Sequence, residues 1–125
     1  MSKKKSILLV EDDEFLAELY ATKLNLEGYE VSLAVSGDKG LKLIREKKPD
    51  LVLLDIILPK MDGFEILKAV KEDKALKDIP IILLTNLSQK DEVKKGLELG
   101  AVDYLIKAHF MPSEVVKKIK QVMGD

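Results

Sequence analysis

The sequence contains no cysteine and no tryptophan, and it has a single histidine. Without cysteine the chain forms no disulfides and has no thiol chemistry. No apolar stretch approaches the ~20 residues that a membrane-spanning helix needs, and no signal peptide precedes the first charged residues. We therefore expect a cytoplasmic protein that does not associate with a membrane.

The chain also lacks an excess of charge of either sign, since 21 basic and 22 acidic residues give a net charge of -1. A general nucleic-acid-binding protein carries a clustered basic face, whereas the one basic run here is at residues 3–5. We predict that residues 1–5 form a flexible basic tail. With 46% hydrophobic residues and a length of 125, the remaining chain is typical of one globular domain, without a direct nucleic-acid partner.

Five short runs of the sequence have the composition of strands. Three consist only of apolar residues, which is typical of strands covered on both faces of a parallel sheet. Two others alternate polar and apolar residues, as strands at the edges of a sheet do. The apolar runs are residues 7–10, 51–54 and 81–84, and the alternating runs are residues 31–34 and 102–106.

Helical patterns lie between these strands. The first ends near Gly28, and Ser36 is the predicted cap of the second. Asp62 and Gly63 open the third, Gly100 ends the fourth, and Pro112 begins the fifth. The apolar face of the first helix is predicted to comprise Phe15, Leu16, Leu19, Tyr20 and Leu24, and the thin face of the fourth to comprise Val93 and Leu97.

Alternating strands and helices with short connections predict an α/β fold of the (βα)₅ type, a parallel sheet with right-handed crossovers. If the two alternating runs are the edges, the simplest strand order is 2-1-3-4-5, that of a doubly wound, flavodoxin-like sheet. The direction of winding then reverses between strands 1 and 3. Such sheets bind ligands at the carboxyl ends of the strands beside that reversal.

Polar residues follow or end four of the predicted strands. Glu11 and Asp12 follow the first, and Asp55 ends the third. Thr85 and Lys107 end the fourth and the fifth. The ends of strands 1 and 3 would be neighbours ~5 Å apart. Carboxylates that converge in this way repel one another unless a cation lies among them, and an oxygen-rich site with vacant positions suits Mg²⁺.

A pocket of this kind is suited to phosphoryl transfer. A carboxylate can attack phosphorus and form an acyl phosphate, and a metal, an ammonium and a hydroxyl can stabilise the oxygens of the phosphoryl group. Asp55 is the predicted nucleophile because it alone lies at the end of an interior strand beside the acids of strand 1. The neighbouring Asp13 has a simpler role as the cap of the first helix.

The motifs resemble those of response-regulator receiver domains. Residues 7–13 are similar to the opening of the family, an apolar strand followed by two acids. Residues 55–63 resemble its phospho-acceptor loop, with proline and Asp-Gly at the expected distances. Thr85 and Lys107 fall where the family has its switch hydroxyl and its lysine. The resemblance extends over essentially the whole chain and implies one receiver domain at residues 1–125.

The resemblance implies a metal site. Asp12 would be a direct ligand of Mg²⁺ or Mn²⁺, and Glu11 would act largely through water. Asp55 would be both a ligand and the phosphorylated residue, and the backbone carbonyl of Ile57 would complete the set.

The resemblance also implies a switch. Thr85 and Lys107 would contact the phosphoryl oxygens bound to Asp55. Tyr104 matches the aromatic position that turns inward on activation, and the alternative is an ordinary edge-strand tyrosine.

Three positions near the pocket differ from the family pattern or need a separate interpretation. The family usually has proline after the lysine, often with a cis peptide, and this chain has Ala108. A non-prolyl cis bond costs ~2.5–4 kcal/mol, so the sequence leaves open whether the peptide after Lys107 is cis or trans. Asn86 stands where small residues are common and would narrow the entrance. We interpret His109, the single histidine, as a loop residue, because the donor histidine should belong to the partner.

The predicted function is phosphorelay signalling without a separate turnover reaction, in which the domain phosphorylates itself and dephosphorylates slowly. A histidine kinase or a histidine phosphotransfer protein would donate the phosphoryl group. A downstream protein, or a second copy of the chain, would bind the surface of helix 4, strand 5 and helix 5. The sequence ends after the fifth helix, so we expect either a stand-alone receiver or a fragment of a larger regulator.

Three other functions fit parts of the sequence. An unphosphorylated scaffold of the same fold should have lost Asp55, Lys107 or the acidic pair, and all are present. A metal-dependent phosphatase with an aspartate nucleophile typically has a second aspartate two residues on, where this chain has Ile57. A flavin carrier shares the predicted topology, but a fold by itself does not assign a function.

Overall fold

The structure is a computed structural model that describes residues 4–85, 90–107 and 112–124. Strands and helices alternate along the chain. The strands are β1 (Ser6–Val10), β2 (Glu30–Ala34), β3 (Leu51–Asp55), β4 (Ile81–Thr85) and β5 (Asp103–Ile106). The helices are α1 (Glu14–Leu26), α2 (Gly37–Lys47), α3 (Gly63–Glu72), α4 (Lys90–Glu98) and α5 (Pro112–Met123).

All strand pairs are parallel, and the order in the sheet is β2-β1-β3-β4-β5. This confirms the predicted fold class and strand order. The side chains of β3 and β4 are buried along their whole length, whereas those of β2 and β5 are partly exposed. Continuous apolar runs therefore mark the interior strands and alternating runs mark the edges, because only interior strands have neighbours on every side.

The core has two layers, one on each face of the sheet. Alternate residues of the interior strands pack against α1 and α5 on one face and against α2 and α3 on the other. Within the described parts of the chain, no helix is long and apolar enough to cross a membrane. The cytoplasmic location and the flexible tail stay predictions, and residues 1–3 of that tail lie outside the described residues.

The predicted apolar face of α1 is only partly correct. Tyr20 and Leu24 are buried, together with two alanines at positions 17 and 21. Phe15 is 77% exposed and Leu19 is 43% exposed. The helix carries two apolar stripes, and the one that includes the alanines faces the core because small side chains allow the helix to approach the sheet closely.

Two details of the other helices also differ from prediction. Ser36 occupies the N-cap position of α2 but makes no capping hydrogen bond, because its hydroxyl donates to Asp38 Oδ1 at 2.6 Å instead. In α4 the buried residue is Gly96, whereas Val93 is half-buried and Leu97 is exposed. The contact of α4 with the sheet is thin, as predicted, but it is made by a glycine.

Candidate functional site

The carboxyl ends of the interior strands bring the predicted acids together. Val10 pairs with Leu54, which places the residue after β1 beside the last residue of β3. Carboxylate oxygens of Glu11, Asp12 and Asp55 all lie within 4.8 Å of one another. Glu11 and Asp55 are buried, and Asp12 is exposed at the mouth of the pocket.

Lys107 is the cation of this cluster. Its Nζ lies 2.6 Å from Asp55 Oδ2 and 2.6 Å from Glu11 Oε1. The sequence predicted that Lys107 reaches the pocket, but the direct ion pair with Glu11 was not expected. The lysine ties the ends of β1 and β3 to the end of β5, across the full width of the sheet interior.

The pKa values of the acids in the pocket reflect first their burial and then the crowding of like charges. Burial raises the pKa of the Glu11 carboxyl, the hydrogen bond and charge of Asp55 raise it further, and Lys107 opposes them only in part. Burial raises the pKa of Asp12, and the adjacent Glu11 adds to that rise. Burial by itself would lower the pKa of Lys107, but its hydrogen bonds to Asp55 and Glu11 outweigh burial and raise it.

The charges of the pocket are suited to a divalent cation. Three carboxylates and one ammonium leave a formal charge of -2 when all four are ionised. The donor atoms are carboxylate oxygens, which are hard ligands of the kind that Mg²⁺ prefers. Burial, and after it the neighbouring carboxylates, raise the pKa values of Glu11 and Asp12 despite the nearby lysine. The residues present therefore fit a bound Mg²⁺.

Thr85 ends β4 beside the acids and is fully buried. Its Oγ1 has no hydrogen-bond partner among the residues that the structure describes. An unpaired buried hydroxyl is unfavourable, so this atom is available for a ligand that enters the pocket.

The remaining predicted residues lie at the edges of the site. Ile57 is 63% exposed, and its amide donates to Asp55 Oδ1 at 3.3 Å. Tyr104 on β5 is 38% exposed, so part of this residue is in contact with solvent. Asp13 accepts from the amide of Leu16 at 3.1 Å, which confirms that Asp13 caps α1. Asn86, Leu87, Ala108 and His109 lie outside the described residues.

Two features at or beside the site were not predicted from the sequence. The first is Phe15, an aromatic side chain exposed in the first turn of α1. The second is the backbone contact of the loop after β3 with the start of α2, where Gly37 N donates to Pro59 O at 3.0 Å. A Gly at the first position of a helix was a local sign of such close contact, but nothing in the sequence pointed to its partner.

Comparison with known proteins gives a consistent result. The response regulator receiver domain family matches residues 7–120. The chain is similar to the alkaline phosphatase synthesis transcriptional regulatory protein PhoP of Bacillus subtilis, with 40% identity over 119 residues. The match covers 95% of this chain and 48% of PhoP, so the chain spans about half the length of that relative.

Solved structures match over almost the whole chain. A CheY-like response regulator receiver domain protein from Methanospirillum hungatei has a TM-score of 0.89 and 30% identity, covering 98% of this chain and 95% of that one. The receiver domain of the sensor histidine kinase PA1611 from Pseudomonas aeruginosa has a TM-score of 0.88 and 27% identity, covering 98% and 100%. A magnesium ion is coordinated in the active site cleft of that protein.

The family match covers nearly the whole described chain, and the strand order and the acidic pocket were established independently of it. The chain therefore belongs to the family of response regulator receiver domains, the signalling modules of two-component systems.

Proposed function

We propose that this receiver domain accepts a phosphoryl group on Asp55 from a histidine kinase or a histidine phosphotransfer protein. The observation that carries the proposal is the surroundings of this carboxylate. Asp55 is buried at the end of a central strand, with Lys107 2.6 Å away and two further carboxylates beside it. The domain is its own substrate, and we propose no turnover reaction beyond its phosphorylation and slow dephosphorylation.

The transfer is a single displacement at phosphorus. An oxygen of the Asp55 carboxylate attacks while the bond from phosphorus to the donor's imidazole nitrogen breaks. The electron pair of that bond leaves with the imidazole, and the product is an aspartyl phosphate. The ammonium of Lys107 lies 2.6 Å from Asp55 Oδ2 before the transfer. After the transfer it contacts a negatively charged phosphoryl oxygen. The unpaired hydroxyl of Thr85 donates a hydrogen bond to another phosphoryl oxygen.

Glu11, Asp12, Asp55 and the carbonyl of Ile57 are the groups that would hold Mg²⁺, with Mn²⁺ as a substitute. When bound, the metal neutralises the carboxylates and the incoming phosphoryl charge. The formal charge of -2 in the pocket would otherwise repel a phosphoryl group.

The test is phosphorylation by a small donor. Wild-type chain incubated with acetyl phosphate and Mg²⁺ should gain the mass of one phosphoryl group, measured on the intact protein. Asp55→Asn or EDTA should abolish the gain, because each removes a component of the transfer. Asp91→Asn, a change of an exposed aspartate on α4, should leave it intact. An equal gain in Asp55→Asn would contradict the assignment.

The protein donor docks beside the pocket, and we propose that it uses the outer face of α1. Phe15, Leu19 and Leu26 are exposed at helical spacing on that face, over a length of ~16 Å. Phe15 lies in the first turn of α1, three residues after Asp12 of the pocket. A protein that delivers a phosphohistidine to Asp55 must cover this rim, and exposed aromatic residues are typical anchors of such interfaces.

Phe15→Ala separates docking from chemistry. Loss of an aromatic anchor should slow transfer from a phosphotransfer protein by ~10-fold, equivalent to ~1.4 kcal/mol. Phosphorylation by acetyl phosphate should not change, because the small donor makes no contact with α1. Leu33→Ala on β2, also an exposed apolar residue, is the matched control. If transfer from the protein donor proceeds at the wild-type rate, docking occurs elsewhere.

Two of the rival functions, the phosphatase and the unphosphorylated scaffold, are not favoured. The position two residues after Asp55 is an exposed isoleucine, which cannot serve as the second acid of a phosphatase. The residues that a scaffold would have lost are present and lie in contact with one another. Signalling by phosphorylation accounts for both facts.

A further inference from the structure

The loop that follows Asp55 contains a strained turn. Lys60 has a φ of 74°, in the left-handed region that side chains other than glycine rarely adopt. The amide of Met61 donates to Pro59 O at 2.8 Å across this residue, which makes the turn a three-residue γ-turn of the rare, strained type. Such conformations persist only where neighbouring structure holds them in place.

The amino end of α2 is the neighbouring structure that holds this turn. Gly37 N donates to Pro59 O at 3.0 Å, so that one carbonyl accepts from both Met61 and Gly37. A Cβ atom at position 37 would lie 1.6 Å from the carbonyl oxygen of Met61. Any side chain here must therefore displace either α2 or the loop.

Helix α2 cannot easily move away from the loop, because it is packed against the sheet. Leu41 and Ile44 bury α2 against the sheet, and at Gly40 an added Cβ would lie 2.9 Å from Val10 Cγ1. This close packing shows that α2 lies directly on β1. Displacement of the helix would open a gap in the core, where packing is as dense as in a crystal.

The far end of the loop is fixed as well. Gly63 N donates to Ile56 O at 2.7 Å, and a Cβ at Gly63 would lie 2.5 Å from the carbonyl oxygen of Asp55. The loop residues that can still move are those between the contact of Ile56 with Gly63 and the turn at Lys60. They include Ile57, whose amide donates to Asp55 Oδ1 at 3.3 Å and whose carbonyl is a proposed metal ligand.

We infer that Gly37 is a positioning residue for the phospho-acceptor loop, residues 55–63. Its missing side chain and its amide hold the turn at Lys60, and the turn sets the position of Ile57 at the metal site. This inference rests on the proposed function of Asp55. It assigns a role in metal binding and phosphorylation to a residue that touches neither metal nor phosphoryl group.

The experiment compares metal affinity with stability. Gly37→Ala should weaken Mg²⁺ binding by ~10-fold, measured by NMR titration of the Ile57 amide, and should slow phosphorylation by acetyl phosphate. Gly96→Ala is the matched control, because a Cβ there would lie 2.1 Å from Leu83 Cδ1 in the core and away from the loop. It should lower the melting temperature and leave the Mg²⁺ affinity unchanged.

A second variant covers the case in which Gly37→Ala does not fold. Lys60→Pro leaves α2 untouched, but proline fixes φ near -65° and cannot form the turn. It should weaken Mg²⁺ binding to a similar extent. A lower melting temperature with wild-type Mg²⁺ affinity in Gly37→Ala, or wild-type affinity in folded Lys60→Pro, would overturn the inference. Failure of the wild-type chain to bind Mg²⁺ or to be phosphorylated would instead refute the proposed function.

Discussion

At the scale of single residues, the lifetime of the phosphorylated state depends on access of water to phosphorus. Hydrolysis requires a water in line with the bond from Asp55 to phosphorus. We propose that two apolar side chains shield this approach, as the family resemblance implies: Ile57, and Leu87, which lies outside the described residues. Neither can hydrogen-bond a water molecule. Ile57 projects from the loop with 63% of its surface exposed, where a substitution does not disturb the core.

Ile57→Asn should shorten the lifetime. An amide at this position can orient the attacking water, and ~1.4 kcal/mol of transition-state stabilisation corresponds to a ~10-fold faster decay. The measurement is loss of the phosphorylated mass after removal of the phosphodonor. Leu87→Ala should also speed decay by opening the approach. The hypothesis that Ile57 and Leu87 shield the phosphoryl group from water is wrong if both variants decay at the wild-type rate or more slowly.

At the scale of secondary-structure elements, Lys107 connects the pocket to the opposite side of the domain. It lies directly after β5 and bridges Glu11 and Asp55. The nearby α4 rests on the sheet through Gly96, with little other buried surface, so it is weakly held and suited to movement. We propose that phosphorylation changes the position of Lys107, and that β5, α4 and α5 then present a new surface to a downstream protein or a second copy of the chain.

Lys107→Ala should separate phosphorylation from this response. The variant should still accept some phosphoryl group, because Asp55 and the metal ligands remain. The amide shifts that a phosphoryl analogue causes in α4, β5 and α5 should be lost, because the side chain that joins Asp55 and Glu11 to the end of β5 is then missing. NMR spectra with and without the analogue provide the measurement. Lys118→Ala, which removes the ion pair with Asp103 at 3.0 Å on the same surface, is the control and should keep the shifts.

At the scale of the whole molecule, the domain concentrates negative charge at one end of its sheet. The net charge of the chain is only -1, but the pocket alone carries a formal -2. Carboxylates with raised pKa values cost stability when they ionise. A cation that binds only the folded state should therefore stabilise the fold as well as prepare it for reaction.

Mg²⁺ should raise the melting temperature of the unphosphorylated domain. At ten times its dissociation constant the gain is about 1.4 kcal/mol, which corresponds to several degrees for a domain of this size. Scanning calorimetry with MgCl₂, against NaCl at equal ionic strength, measures the effect. Asp12→Asn should abolish it without harm to the fold, because Asp12 is exposed. An equal rise in NaCl would show general screening rather than a site.

The sequence by itself determined the architecture and the main members of the pocket. Apolar runs distinguish interior strands from edges because burial on both faces excludes polar side chains. Once the order of strands is known, Glu11, Asp55, Thr85 and Lys107 must meet, because the carboxyl ends of parallel strands lie at the same edge of the sheet. These conclusions depend only on local composition and on the chirality of crossovers.

Only the tertiary structure decided which of several locally equivalent arrangements occurs. The two apolar stripes of α1 have the same helical spacing, and contact with the sheet and α5 selects the stripe that contains the small alanines. The bridge from Lys107 to Glu11 depends on the distance between strand ends. The contact of Gly37 with Pro59 joins residues 22 positions apart. Periodicity describes each segment separately, whereas these features arise from how segments pack against one another.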